Sequence, residues 1–303
     1  MKNSTQFPFA ITFDCDPVAF DQSLELAIDS KFQHLWQSVP IALSAIKRAE
    51  EISNRVISAT FFIRNLSAIS KDSIISESWR EFLPLWEEVL EGGHALGLHP
   101  HINFPLAPQF SHQSELIQNL MEKDFKHLTD LGVTTRVTRI GGHAYNSQTS
   151  DLLRSLGVSV DSSAIPGRKL GEYLETSDWR QYTNKALKNW SYNLDPKLES
   201  YAKLGLTQIP MSTLQQISNS EFYRYIDFSF KSFRDHSFLT SRFLSDCDVG
   251  VSVTHPSTLL NGQYLKHQSL EFGIQNWVFN FTEFFNICNT SNIDFHFTNL
   301  SEL

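Results

Sequence analysis

Asp14 and Asp16 close an apolar run, PFAITFDCD, with one cysteine between them. Side chains of an extended strand alternate sides. Thr12, Asp14 and Asp16 therefore share one face, and Ile11, Phe13 and Cys15 the other. Two carboxylates at one strand end repel each other unless positive charge sits between or beside them. Three more stretches put suitable groups at strand ends. In GGHALGLHPHINF (92–104), alternation sets Ala95, Gly97, His99 and His101 on one side, and His94, Leu96 and Leu98 on the other. TRIGGHAYN brings Arg139 and His143 around a glycine pair, and VGVSVTHPSTLLNG aligns Val249, Val251, Val253 and His255 before Pro256.

The chemistry these groups suit is that of a divalent metal. A carboxylate with neutral imidazoles is a ligand set for zinc or a similar ion, leaving one position open for water. Such an ion brings the pKa of its water from about 15.7 down to roughly 7. The cation that the acid pair requires would then lie between Asp16 and the histidines, with Asp14 as a base beside it. Plainer readings compete at each position. The acids could cap a helix or a turn, although the end of a buried strand is an expensive place for unpaired charge. Arg139 could be a simple ion-pair residue, His143 a loop hydrogen-bonding residue, and Asp161 a loop acceptor. His94 reads as structural because it points away, and Cys15 as a small residue packed towards helices.

These residues need strands to carry them. Short apolar runs alternate with helical patterns, the mark of β/α organisation. Strands are expected over 8–14, 56–63, 94–99, 136–140, 158–161, 206–210, 249–254 and 293–298. Helices are expected over 40–53, 79–91, 112–131, 147–156, 236–245 and 267–290. Glu91-Gly92-Gly93 stops the second helix, and Asn146 or Ser147 can cap the fourth. Many such units with no GxGxxG after the first strand point to a barrel rather than a dinucleotide fold. The expected fold is α/β: a distorted (β/α) barrel of about seven parallel strands, one domain over 1–303. Residues 165–205 are polar, aromatic and irregular, and read as an insertion over the barrel mouth.

Bulk properties narrow the function classes. Twenty-four phenylalanines in 303 residues, spread along the chain, favour a large packed core over disordered tails. A net charge of −8 with no dense Lys/Arg stripe speaks against a nucleic-acid partner. Three cysteines without a CxxC pair suit a reducing compartment rather than a disulfide framework. No run of about eighteen apolar residues spans a membrane, and MKNSTQFPFAITFD has no signal-peptide core. A cytoplasmic location is the expectation.

Taken in order, the motifs resemble the polysaccharide deacetylases of the NodB-homology type, carbohydrate esterase family four. ITFDCDP is similar to the family's first motif, SATFFI (58–63) to its second strand, and GGHALGLH to the segment ending at the first metal histidine. RIGGHAYN falls at the arginine motif, GVSVDSSA and LTQIPMST at later strand markers, VTHPS at the C-terminal histidine motif, and FHFTNLSEL at the closing segment. The resemblance implies that Asp14 is the catalytic base, Asp16 and His99 are metal ligands, His255 is the general acid, and Arg139 holds the base. It further implies one divalent ion, zinc foremost, and hydrolysis of an N-acyl, usually N-acetyl, sugar.

The chain also departs from the family pattern. The second metal histidine usually follows the first by four residues, but position 103 is Asn. His101 is the natural substitute, with the Asn103 side-chain oxygen as the alternative. The arginine motif carries glycines where prolines are usual, which can bring His143 to the pocket. The Asp–Trp motif is absent after Asp161, leaving Asp161 a candidate substrate or supporting contact. Lack of a leader favours a nucleotide- or lipid-linked precursor in surface-polysaccharide synthesis, such as O-antigen, as substrate. A deformylase or small-amide amidase would use the same groups, and a catalytically silent sugar-binding barrel would account for the altered histidine spacing.

Overall fold

The computed structural model describes residues 6–16, 33–70, 73–76, 79–102, 111–141, 147–167, 179, 182–183, 185–188, 205–215, 223–229, 247–261 and 270–303. Chain order runs β1 (Phe7–Cys15), α1 (Leu35–Ser53), β2 (Ala59–Ile63), the hairpin β3 (Leu66–Ser70) and β4 (Ser73–Ser76), then α2 (Leu83–Glu91) and β5 (Ala95–Leu98). After these come α3 (Ser111–Asp130), β6 (Val137–Thr138), α4 (Ser147–Ser155), β7 (Val160–Asp161), β8 (Thr207–Gln208), β9 (Thr213–Gln215) and β10 (Tyr223–Tyr225). β11 (Gly250–Thr254), α5 (Pro256–Asn261), α6 (Leu270–Thr290) and β12 (Phe295–Phe297) complete the order.

Seven strands form one parallel, curled sheet in the order β11-β1-β2-β5-β6-β7-β8, and β12 pairs with β1 beside it. This is the expected distorted α/β barrel. Between β8 and β11 the wall is made by single backbone bonds: Ser212 N–H donates to Val251 O, Ile226 N–H to Ser212 O, and Val253 N–H to Ile226 O.

The period of two sorts β1 as its sequence requires. Ala10 faces an inner apolar cluster with Phe62, Val137, Val160, Ile209, Val249, Val251 and Leu300. Phe9, Ile11, Phe13 and Cys15 face the helices in a larger outer core. Phe9 packs there against Phe284 at 4.9 Å between ring centroids, and Trp277 stacks on Phe281 at 5.7 Å. Gly97 lies where strand and ring meet closely, since a Cβ there would stand 2.9 Å from the Phe62 ring and 3.0 Å from Val137 O.

Each expected strand forms, β6 and β7 as only two residues each, and the other differences lie in helices and added hairpins. α1 starts at Leu35, five residues before the Pro40 that would ordinarily open it. A proline inside a helix forfeits one backbone bond. Here buried Leu35 and Val39 extend the stripe of Ala42, Ile46 and Ala49, and burying such residues at about 1.5–3 kcal/mol per large side chain offsets that loss. The helix expected over 236–245 lies outside the described residues, as do Asn146, residues 267–269 and most of 165–205. The short α5 directly after His255, and the β3–β4 and β9–β10 hairpins, were not foreseen. Pro256, read as ending a strand, also opens α5, where its missing N–H costs nothing. Among the described residues no helix is long and apolar enough to cross a membrane.

Candidate active site

The site lies at the C-terminal ends of the strands, built by β1, β2, β5, β6 and β11 together. Asp14 is pinned first. Arg139, fully buried, donates from Nη1 to Asp14 Oδ1 at 2.6 Å and to Thr12 Oγ1 at 2.8 Å. Its Nε and Nη2 donate to Ser162 O and Ser162 Oγ, and the guanidinium lies 4.4 Å over the Phe62 ring. Four of its five N–H donors are thus engaged, so Arg139 is a rigid holder rather than a mobile contact. Burial alone would raise the Asp14 carboxyl. Arg139, His99 and His255 outweigh it and hold Asp14 below the usual carboxylate range.

Asp16 is the hub of the imidazoles. His101 Nε2 lies 3.0 Å from its Oδ1, while His255 Nε2 and His99 Nε2 lie 3.4 Å and 3.5 Å from its Oδ2. Burial would raise this carboxyl too, but His99 and the hydrogen bonds from His101 and His255 keep it well below the ordinary value. The ligand atoms of Asp16, His99 and His101 all lie within 4.8 Å of one another, a spacing that one divalent ion would bridge.

His99 carries the clearest sign of a ligand. Its Nδ1 is 2.7 Å from Arg139 O. A carbonyl only accepts, so Nδ1 holds a proton, and in the neutral ring it is Nε2 that is free to offer its lone pair towards Asp16 and His101. The His99 and His101 Nε2 atoms are 3.2 Å apart, with their rings nearly perpendicular. Burial lowers His101 despite Asp16 beside it, which favours the neutral, ligating form. The donor set therefore fits a metal ion.

His255 has the opposite character. Burial would lower its pKa, but Asp16, Asp14 and then Asp227 raise it to about 9. A protonated imidazole is thereby kept beside the carboxylates.

The structure brings Asp14, Asp16, His99, His101, Arg139 and His255 together. Asn103 and His143 lie outside the described residues. Asp161 is fully buried and takes hydrogen bonds from Ser163 N–H, Ser163 Oγ, Thr138 Oγ1 and Gln208 Nε2. It touches the site only at second hand, because the Ser163 hydroxyl it fixes accepts from Ile140 N–H beside Arg139. Burial raises its carboxyl, and those donors pull the other way. His94 points away as expected, accepting from Ala59 N–H through Nδ1. Burial raises the Cys15 thiol well above its usual value, in keeping with a packing role.

Two residues escaped sequence reading. Arg64 Nη1 stands 3.3 Å from Asp16 Oδ1, adding a cation beside the hub. Its signal was register: Thr60, Phe62 and Arg64 continue the inward face of β2. Asp227 is buried behind His255, where its Oδ1 accepts from Ser229 N–H, Ser229 Oγ and Thr254 Oγ1. An acid set between Ile226 and Phe228 was the available clue.

No protein-family model and no curated protein matches the sequence. Among solved structures, the chain is similar to a Mycobacterium smegmatis protein described as a polysaccharide deacetylase, with a TM-score of 0.53, 12% identity, and coverage of 97% of this chain and 87% of that one. It is similar at a TM-score of 0.49 and 13% identity to a 4-α-glucanotransferase from Thermococcus litoralis, covering 98% of this chain but 40% of that one. A Bordetella bronchiseptica protein, described as a polysaccharide deacetylase involved in O-antigen biosynthesis, follows at a TM-score of 0.38 and 12% identity over 94% and 89% of the two chains. The chain shares the fold of the Mycobacterium smegmatis polysaccharide deacetylase at 12% sequence identity.

Proposed function

We propose that the protein is a metal-dependent deacylase that hydrolyses an N-acyl group, N-acetyl foremost, from a sugar. The observation that carries this reading is the 2.7 Å contact of His99 Nδ1 with Arg139 O, which turns Nε2 towards the space shared with Asp16 and His101, where all three ligand atoms lie within 4.8 Å of one another. One carboxylate and two imidazoles with room for water suit zinc best. An ion held there would lower the pKa of bound water towards about 7 and draw charge from the acyl oxygen.

The remaining work falls to the side chains. Asp14 stays ionised beside Arg139 and accepts the proton of the attacking water. A carboxylate held below its ordinary range is a weaker base, which is the deficit a metal ion held by Asp16, His99 and His101 would make good. His255, whose pKa the surrounding carboxylates raise, would give its proton to the departing amine. Asp227 supports that charge from behind and counters the burial that would discharge the ring.

The test joins metal content to turnover. Wild type purified without chelator should hold about one divalent ion per chain and release acetate from at least one class among N-acetylated oligosaccharides, nucleotide sugars and lipid-linked sugars. His99→Ala should lose ion and activity together. A wild type that stays empty after reloading with zinc, manganese or cobalt would sink the proposal.

A further inference from the structure

We propose that Gly141 is the seat of His101, so that these two residues act as one coupled device for holding the metal ion. The inference rests on the metal-site reading above and extends it to a residue with no chemistry of its own. A Cβ placed on Gly141 would lie 2.0 Å from His101 Cδ2, 2.1 Å from Nε2 and 2.5 Å from Cγ. The imidazole therefore rests on the bare Cα and fills the volume of the side chain that residue 141 lacks. The atom caught there, Nε2, is the one that faces Asp16 Oδ1 at 3.0 Å and His99 Nε2 at 3.2 Å. Space for a ligand nitrogen and space for a side chain at 141 are the same space.

Neither partner can step aside cheaply. β5 and β6 pair in parallel with Leu98 opposite Thr138. Past the strand ends the two segments stay joined, Arg139 N–H donating to Leu98 O and Gly141 N–H to Pro100 O, both at 2.9 Å. A retreat of the 141 backbone breaks the second bond, and a retreat of the ring breaks its contact with Asp16. The demand on Gly141 is for room rather than for backbone freedom, because its φ is not in the left-handed region. Alanine can adopt the backbone and differs only by the methyl group.

Two oddities of the sequence then become one. A second histidine two residues after the first shares its face, and here its ring lies across the neighbouring strand end at Gly141. A glycine at that strand end is what lets it lean. Gly141 is thus a positioning residue for the metal, acting through His101.

Zinc affinity is measured by competition with a chromophoric chelator on wild type, Gly141→Ala, His101→Ala and the double variant, with thermal unfolding of each metal-free form. Displacing one ligand should weaken zinc binding about 10–100-fold in Gly141→Ala. The double variant should bind no more weakly than His101→Ala, because the methyl group has no ring left to displace. Wild-type affinity in Gly141→Ala, or full additivity in the double variant, would overturn the proposal. Should Gly141→Ala fail to fold alone, its folding in the His101→Ala background supports the seat, and its failure there overturns it. If wild type binds none of zinc, manganese and cobalt, the proposed function falls, and a crystal structure of metal-free Gly141→Ala still decides this point. A ring swung away from Asp16 supports the seat, and an unmoved ring refutes it.

Discussion

At the scale of single residues, the site is a problem of buried charge. Asp14 and Arg139 form a fully enclosed pair, and breaking such a pair strands one charge at a cost of about 3–5 kcal/mol. Arg139→Met should therefore lower stability by about that much, read by urea unfolding. Asp14→Asn keeps the shape of the carboxyl but cannot accept a proton, so metal content should persist while turnover disappears. The comparison is made well below both unfolding midpoints, and normal turnover in the variant would remove Asp14 from its role. His255→Gln should keep the metal and slow turnover by about 10²–10⁴-fold, the usual worth of a placed proton donor. These residues were legible because a period of two puts 14 with 16, 99 with 101, and 253 with 255 on one face. Asp227 was not, since its importance comes from lying behind His255, twenty-eight positions away in the chain.

At the scale of elements, short strands place the chemistry. β6 and β7 have two residues each, yet their pairing puts Arg139 beside His99 and Ser162 beside Arg139. Gly97 sets how closely β5 approaches β2 and β6. Gly97→Val should push β5 off the Phe62 ring and Val137 O. The expected result is a loss of about 1–3 kcal/mol from overpacking, with weaker metal binding because β5 leads directly to His99. Unchanged metal affinity in a folded Gly97→Val protein would show that the site does not depend on that close packing. The α1 start shows where reading by element falls short. Pro40 is a fair helix-opening signal locally, and the burial of Leu35 and Val39 against other elements overrides it.

At the scale of the whole molecule, two histidines act on stability with opposite sign. His255 is raised from 6.5 to about 9, so its contribution is complete below pH 6.5 and lost as pH rises through 9. His94 is lowered by burial from 6.5 to about 4, so its contribution is complete above 6.5 and lost as pH falls through 4. Metal-free protein should be most stable near pH 6.5, with His255→Gln flattening the alkaline limb and His94→Gln the acid limb of a plot of unfolding midpoint against pH. An alkaline limb unchanged in His255→Gln would mean that the raised pKa is not expressed in the folded chain. Saturating zinc should raise the unfolding temperature by mass action, and chelator should reverse the rise.

What the sequence by itself determined is what short-range periodicity can encode. Alternation along β1, β5 and β11 set which side each acid and imidazole takes, and apolar runs broken by helical patterns set the barrel class. The tertiary structure decided what distant segments must meet to create. It brought Gly141 under His101, Asp227 behind His255, and the Arg139 carbonyl onto His99 Nδ1. It also drew Ser212 and Ile226 across the gap between β8 and β11. Strand period is a property of neighbouring residues and survives in any register. Contacts across the sheet depend on which strands pair and how far each slides, and the whole packed core selects those together.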